Sequence, residues 1–125
     1  MNVALWVVAS VLAATFAGAG LLKLARNNKQ LAASGMAWAQ DFSPALVKFI
    51  GIAELAGAIG LIVPALLRIA PVLVPVAAAA LAVLMAGAVV VHVRRHEGAA
   101  ATPALVLGLL AVFLAWGRFG PYAFG

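Results

Sequence analysis

Residues 44–64 read PALVKFIGIAELAGAIGLIVP. From Phe49 to Leu67 the apolar run is broken by one charge, Glu54. A helix rises about 1.5 Å per residue, so about 20 apolar residues cross the hydrocarbon of a bilayer. The stretch is long enough for one crossing. Ser43-Pro44 suits its start, because a proline in a first turn lacks an N–H that the helix does not use. Pro64 is expected to end or kink it.

Similar runs lie on both sides. Val3 to Leu22, Ile69 to Val91 and Ala99 to Gly117 carry no charge. Of the 125 residues, 67% are hydrophobic and 9% charged. Soluble domains average about 45–50% and about 25%. A chain this short has too little interior to hide that apolar surface from water. The expected fold is all-α: an integral membrane four-helix bundle, one domain over 1–125, with helices near 3–24, 44–64, 69–94 and 102–119.

Punctuation agrees. Thr102-Pro103 resembles Ser43-Pro44 as a helix start, and Pro71 and Pro75 suit the first turns of the third helix. The second and third helices then form a tight antiparallel hairpin. Ala17-Gly18-Ala19 resembles a signal-cleavage site, but the preceding segment has no Lys or Arg and its apolar run is long. A retained first helix is expected.

The long connection, Ala25 to Ser43, carries Leu31, Gly35, Trp38 and Phe42 at helical spacing. Residues 29–41 are expected to form a short interfacial helix, with Trp38 turned toward lipid or the bundle. Lys23, Arg26, Lys29, Lys48, Arg94 and Arg95 lie near the first and third connections, against Arg68 and Arg118 on the other side. That bias puts both termini outside. The net charge of +5 points to anionic membrane lipids rather than nucleic acid.

Without a hydrophobic drive between helices in lipid, small residues allow close approach. Ala53/Gly57 and Ala56/Gly60 on the second helix, Ala14/Gly18 on the first and Ala111/Ala115 on the fourth have that spacing. Their density makes the second helix the candidate central one.

Glu54 lies ten residues past Pro44, about 15 Å of rise, near the midplane. A charge there costs about 2.5 kcal/mol or more on insertion scales, so it must point inward and be paired, hydrated or protonated. Gly51, Gly57 and Ala58 leave room beside it. The candidate partners are Arg118, Lys23 and His92. Lys48 lies six residues away on another face, and Lys23 is otherwise expected to snorkel to headgroups. Lys23, Lys48 and His92 should share one layer. Together with Glu54 and Arg118 they form the candidate ligand-binding or buried polar network. His92 and His96 share a helix face, but Glu97 is the one nearby acid, so no metal site is expected. With no cysteine, thiol chemistry is excluded. No catalytic residue set can be assembled from three acids, so catalysis by this chain alone is poorly supplied.

Four stretches resemble the DoxX-like family of small four-helix bacterial membrane proteins. They are residues 17–24, AGAGLLKL; residues 48–64, KFIGIAELAGAIGLIVP; residues 85–92, MAGAVVVH; and residues 115–119, AWGRF. The resemblance implies the four-helix fold and a bacterial inner-membrane location. It also implies a link to quinone-dependent electron transfer and membrane oxidoreductase assemblies. Cysteine-based chemistry of similar four-helix redox proteins does not carry over to a chain without cysteine.

Three functions remain open. One is an accessory or scaffold subunit of a membrane complex, such as a quinone-linked redox complex, with the chain either a homo-oligomer or a subunit of that larger complex. A second is a binder of a quinone or lipid in a cavity lined by Glu54, His92 and Arg118. The third is a proton-coupled transporter or channel, which would need an oligomer because no inverted repeat is visible. No other cofactor is expected.

Overall fold

The structure, a computed structural model, describes residues 1–33 and 35–123. Helix α1 spans Asn2–Ala25, α2 Asn28–Ala33, α3 Pro44–Leu67, α4 Leu73–Arg94 and α5 Gly98–Phe119, with a 3₁₀ helix at Ala37–Asp41. There is no strand among the described residues. Four helices, α1, α3, α4 and α5, are long and apolar enough to cross a membrane. The chain is an integral membrane protein built as an all-α four-helix bundle.

The long helices begin and end by local rules, with three departures from expectation. Ser43 caps α3 as anticipated, its hydroxyl accepting from the Leu46 N–H at 3.2 Å. Pro64 does not end α3, which runs on to Leu67 and stops at Arg68 in a left-handed conformation, φ 54°. A proline this close to the C-terminus removes one hydrogen bond from a helix otherwise intact. Pro71 lies outside α4, whose first turn holds Pro75 instead. α5 starts at Gly98, four residues before Thr102, so Pro103 lies within it. The alanines ahead of Pro103 are the best helix formers and extend the helix backwards.

The first connection is not one surface helix. Gly35, at φ 98°, breaks it into α2 and the 3₁₀ helix. The Gly35 N–H donates to Ala32 O at 3.2 Å and the Met36 N–H to Leu31 O at 2.9 Å. This is the double bond of a Schellman stop, which a glycine adopts without steric cost. Asn28 Nδ2 then donates to Ala39 O and Phe42 O, both at 2.9 Å, folding the two pieces together. Leu31, Ala39 and Val47 form a small buried core with Met36, Trp38 and Phe42 packed against it. Trp38 therefore faces the bundle.

The long helices form a ring in the order α1, α3, α4, α5, so none is central. The ring is two antiparallel pairs. α1 packs extensively on α3, and α4 on α5; the seams α3–α4 and α1–α5 are thinner. The α3–α4 hairpin is thus joined by a short turn but is not the tightest pair. Glycines show where the helices approach. A Cβ on Gly20 would lie 2.7 Å from Gly51 O, and one on Gly51 2.9 Å from Lys23 Cβ. Gly20 sets the α1–α3 crossing, not the expected Ala14 and Gly18, since nothing lies within 4 Å of a Cβ at Gly18. The glycine contacts across the thin seams, Gly57 on Leu81, Gly60 on Ala77 and Gly117 on Leu5, fall in the half of the bundle away from the first connection. The main core, including Leu5, Leu12, Phe16, Leu61, Leu81 and Leu114, fills the bundle between the pairs.

Candidate functional site

The end of the bundle away from those glycine contacts holds a cavity of about 500 Å³. It lies between the two helix pairs, and Gly35, Met36, Trp38 and Phe42 of the connection cover it. Most of its wall is apolar: Phe16, Ile50, Leu84, Met85, Val91 and Leu107 all line it. Thr15 on α1 and Pro103 on α5 line the cavity and are exposed, so it reaches the α1–α5 seam. Exposed Gly87 and half-buried Ile50 line it along the α3–α4 seam. In a bilayer both seams face lipid.

Glu54 and Lys23 form the polar floor. Lys23 Nζ lies 2.5 Å from Glu54 Oε1. The residues are 6% and 2% exposed, so the pair is cut off from water. Two matching triplets build it: Gly20-x-x-Lys23 on α1 and Gly51-x-x-Glu54 on α3. The glycines bring the backbones together, and the lysine stem then runs about one helical turn along α3 to the carboxylate. Lys23 points inward instead of snorkelling to headgroups. Its ammonium also lies 5.7 Å from the centre of the Trp38 ring, a cation–π contact with the cover.

His92 is the third ionisable group of the cavity. Its Nδ1 lies 3.3 Å from Glu97 Oε1. An ionised carboxylate only accepts, so Nδ1 carries the proton in this bond. Arg95 Nε donates to the same oxygen at 3.0 Å, and Arg95 Nη1 pairs with Asp41. A polar chain thus runs from the cavity wall through the α4–α5 turn to the cover. His92 and Arg95 hold the Glu97 carboxyl below its usual value, the bond from His92 contributing most. Arg95 is held above its own, chiefly by Asp41. His96 is exposed, and no metal-ligand cluster occurs among the described residues.

Two expected site residues lie elsewhere. Lys48 Nζ donates at 2.8 Å to each of Lys23 O, Leu24 O and Arg26 O. The last carbonyls of a helix have no partner within it and carry partial negative charge, so an ammonium is well placed there. Lys48 caps α1 and does not line the cavity. Arg118 sits at the other end, donating to Asn2 Oδ1 at 2.7 Å and Tyr122 O at 3.0 Å, with its guanidinium 5.9 Å from the Trp6 ring. Asn2 and Lys23 are 21 residues apart on α1, about 31 Å of rise, so Arg118 cannot reach Glu54. Among the three candidates, Lys23 is the partner.

Sequence reasoning missed Trp38 as a cavity wall and the Asp41–Arg95–Glu97 chain. The second joins residues 54 positions apart, and spacing gives no sign of it. The repeated Gly-x-x-charge triplet was a usable signal for the Lys23–Glu54 pair.

No match was found among curated proteins or among solved structures. The model of the DoxX-like family matches residues 7–114. That match covers α3 and α4 whole and most of α1 and α5, the helices that frame the cavity, and the chain belongs to the DoxX-like family.

Proposed function

We propose that the protein binds a membrane-dissolved lipophilic molecule, such as a quinone or lipid, in the cavity between its two helix pairs. The carrying observation is the cavity itself: about 500 Å³, mostly apolar, with Lys23–Glu54 at its floor and edges on lipid-facing seams. Ligand sites commonly enclose about 300–1,000 Å³ with a few polar groups in an apolar wall. A buried ion pair is no gain in stability over apolar packing, so a functional use of the pair is the economical account of it. In this reading the tail enters from lipid and the polar head rests near Lys23, Glu54 and His92; Arg118 has no part. The setting is a bacterial inner membrane, as the likeness to DoxX-like proteins implies, with both termini outside, the orientation that the Lys/Arg bias favours. The scaffold and transporter readings have no comparable observation behind them.

Trp38 supplies the test. The chain has three tryptophans, and Trp6 and Trp116 lie away from the cavity. With those two changed to Phe, a brominated lipophile bound in the cavity should quench Trp38 saturably. Mass spectrometry from mild detergent should show a retained hydrophobic adduct. Linear quenching with no plateau, together with adduct-free protein, would sink the proposal.

A further inference from the structure

The charges around the cavity restrict the head group it takes. This step rests on the binding proposal above. Lys23 and Glu54 cancel within one ion pair. His92 faces Glu97, which is also bonded by Arg95, itself paired with Asp41. With His92 neutral, that chain carries two carboxylates against one guanidinium, a net −1, but neither Asp41 nor Glu97 lines the cavity. With His92 protonated it carries zero. Neither the floor nor the wall ever presents uncompensated positive charge.

We infer that the cavity selects a lipophile with a neutral, hydrogen-bond-accepting head, such as a carbonyl or hydroxyl, and rejects fatty-acid carboxylates, anionic phospholipid heads and long-chain amines. An anionic head at the floor would meet the Glu54 carboxylate in a site sealed from water, where like charges repel most strongly. A cationic head would meet Lys23 in the same way. A neutral oxygen meets neither objection. The Lys23 ammonium has three N–H bonds, and the ion pair with the single oxygen Glu54 Oε1 engages no more than one of them. Among the described residues no other acceptor takes a hydrogen bond from Lys23, so the remaining N–H bonds can serve a neutral oxygen. Glu54 is then the specificity-determining residue: it withholds the lysine charge from anions while leaving its donors in place.

The experiment compares four dibrominated stearyl probes ending in methyl ketone, alcohol, carboxylate or ammonium. Each is titrated against protein whose only tryptophan is Trp38. A Trp116-only form, whose indole is exposed to lipid, reports bulk partitioning. The ketone and alcohol should bind at least about tenfold more tightly than the two charged probes, because placing like charges together costs several kcal/mol. Glu54→Gln keeps the side-chain shape and frees the lysine charge, so the carboxylate probe should become the tightest of the four. Carboxylate binding to the unaltered protein as tight as ketone binding would overturn the inference while leaving the binding proposal intact. Saturable binding by none of the four would overturn both. The ranking on the unaltered protein decides the matter even if Glu54→Gln fails to fold.

Discussion

Replacing Glu54 by Leu would leave the Lys23 ammonium, 6% exposed and deep between α1 and α3, without its counter-ion. The stem leaves α1 at the helix crossing, with its Cβ only 2.9 Å from where a Cβ on Gly51 would lie. Breaking a buried pair from one side costs about 3–5 kcal/mol, chiefly the penalty of a stranded charge. Lys23→Met strands Glu54, 2% exposed, and should cost about the same. The double change Lys23→Met/Glu54→Leu removes both charges and fills the space with apolar groups of similar size. It should lie within about 1 kcal/mol of the unaltered protein, or above it. Glu54→Gln separates charge from shape and should fall between the extremes. Stability can be followed in bicelles by steric trapping or by titration with a denaturing detergent. Strong non-additivity is the expected signature, since the two residues touch. If the single losses are each under about 1 kcal/mol, or if they simply add, the residues are not a sealed pair and the site is misdescribed.

Gly20→Ala should destabilise the bundle, because its Cβ would meet Gly51 O at 2.7 Å and Leu55 N at 3.0 Å, both backbone atoms that yield only if the helices part. Gly18→Ala, in open space two residues away, should be harmless or stabilise by about 0.5–1 kcal/mol through helix propensity; equal losses at both sites in thermal unfolding would refute the crossing geometry. Acid should loosen the Glu97 chain. Its carboxyl is held below the usual value near 4.5, so its contribution is whole above that value and is lost as pH falls through the lowered one; Glu97→Gln should flatten the acid limb of the stability curve, and an unchanged limb would count against the network. A reporter fused at the C-terminus should be inactive if it needs the cytoplasm, as both termini are expected outside; cytoplasmic activity would reverse the orientation.

The sequence by itself determined the class of fold. Four uncharged or nearly uncharged runs of membrane-spanning length allow little else, because composition cannot be reconciled with water. It also marked Glu54 as a residue that had to face inward, since the cost of a lipid-facing carboxylate does not depend on what packs beside it. Ser43 as the α3 cap was readable for the same reason: capping is a local event. Helix ends set by proline were read less well. Pro64 and Pro103 lie inside helices, because neighbouring residues and packing outweigh one missing N–H.

Only the tertiary structure decided which charge answers Glu54. Depth estimates put Lys23, His92 and Arg118 in contention, and side-chain reach could not separate them. The approach of Gly20 to Gly51 settled it, by placing Lys23 one turn from the carboxylate and leaving Arg118 at the other end of the bundle. The pairing of helices was equally invisible to sequence, since every long helix is apolar on all sides and no stripe names its neighbour. The cavity follows from that pairing. Two tight pairs whose glycine contacts with each other fall in one half of the bundle leave, in the other, a space no single helix encodes, and the break at Gly35 folds Trp38 over it.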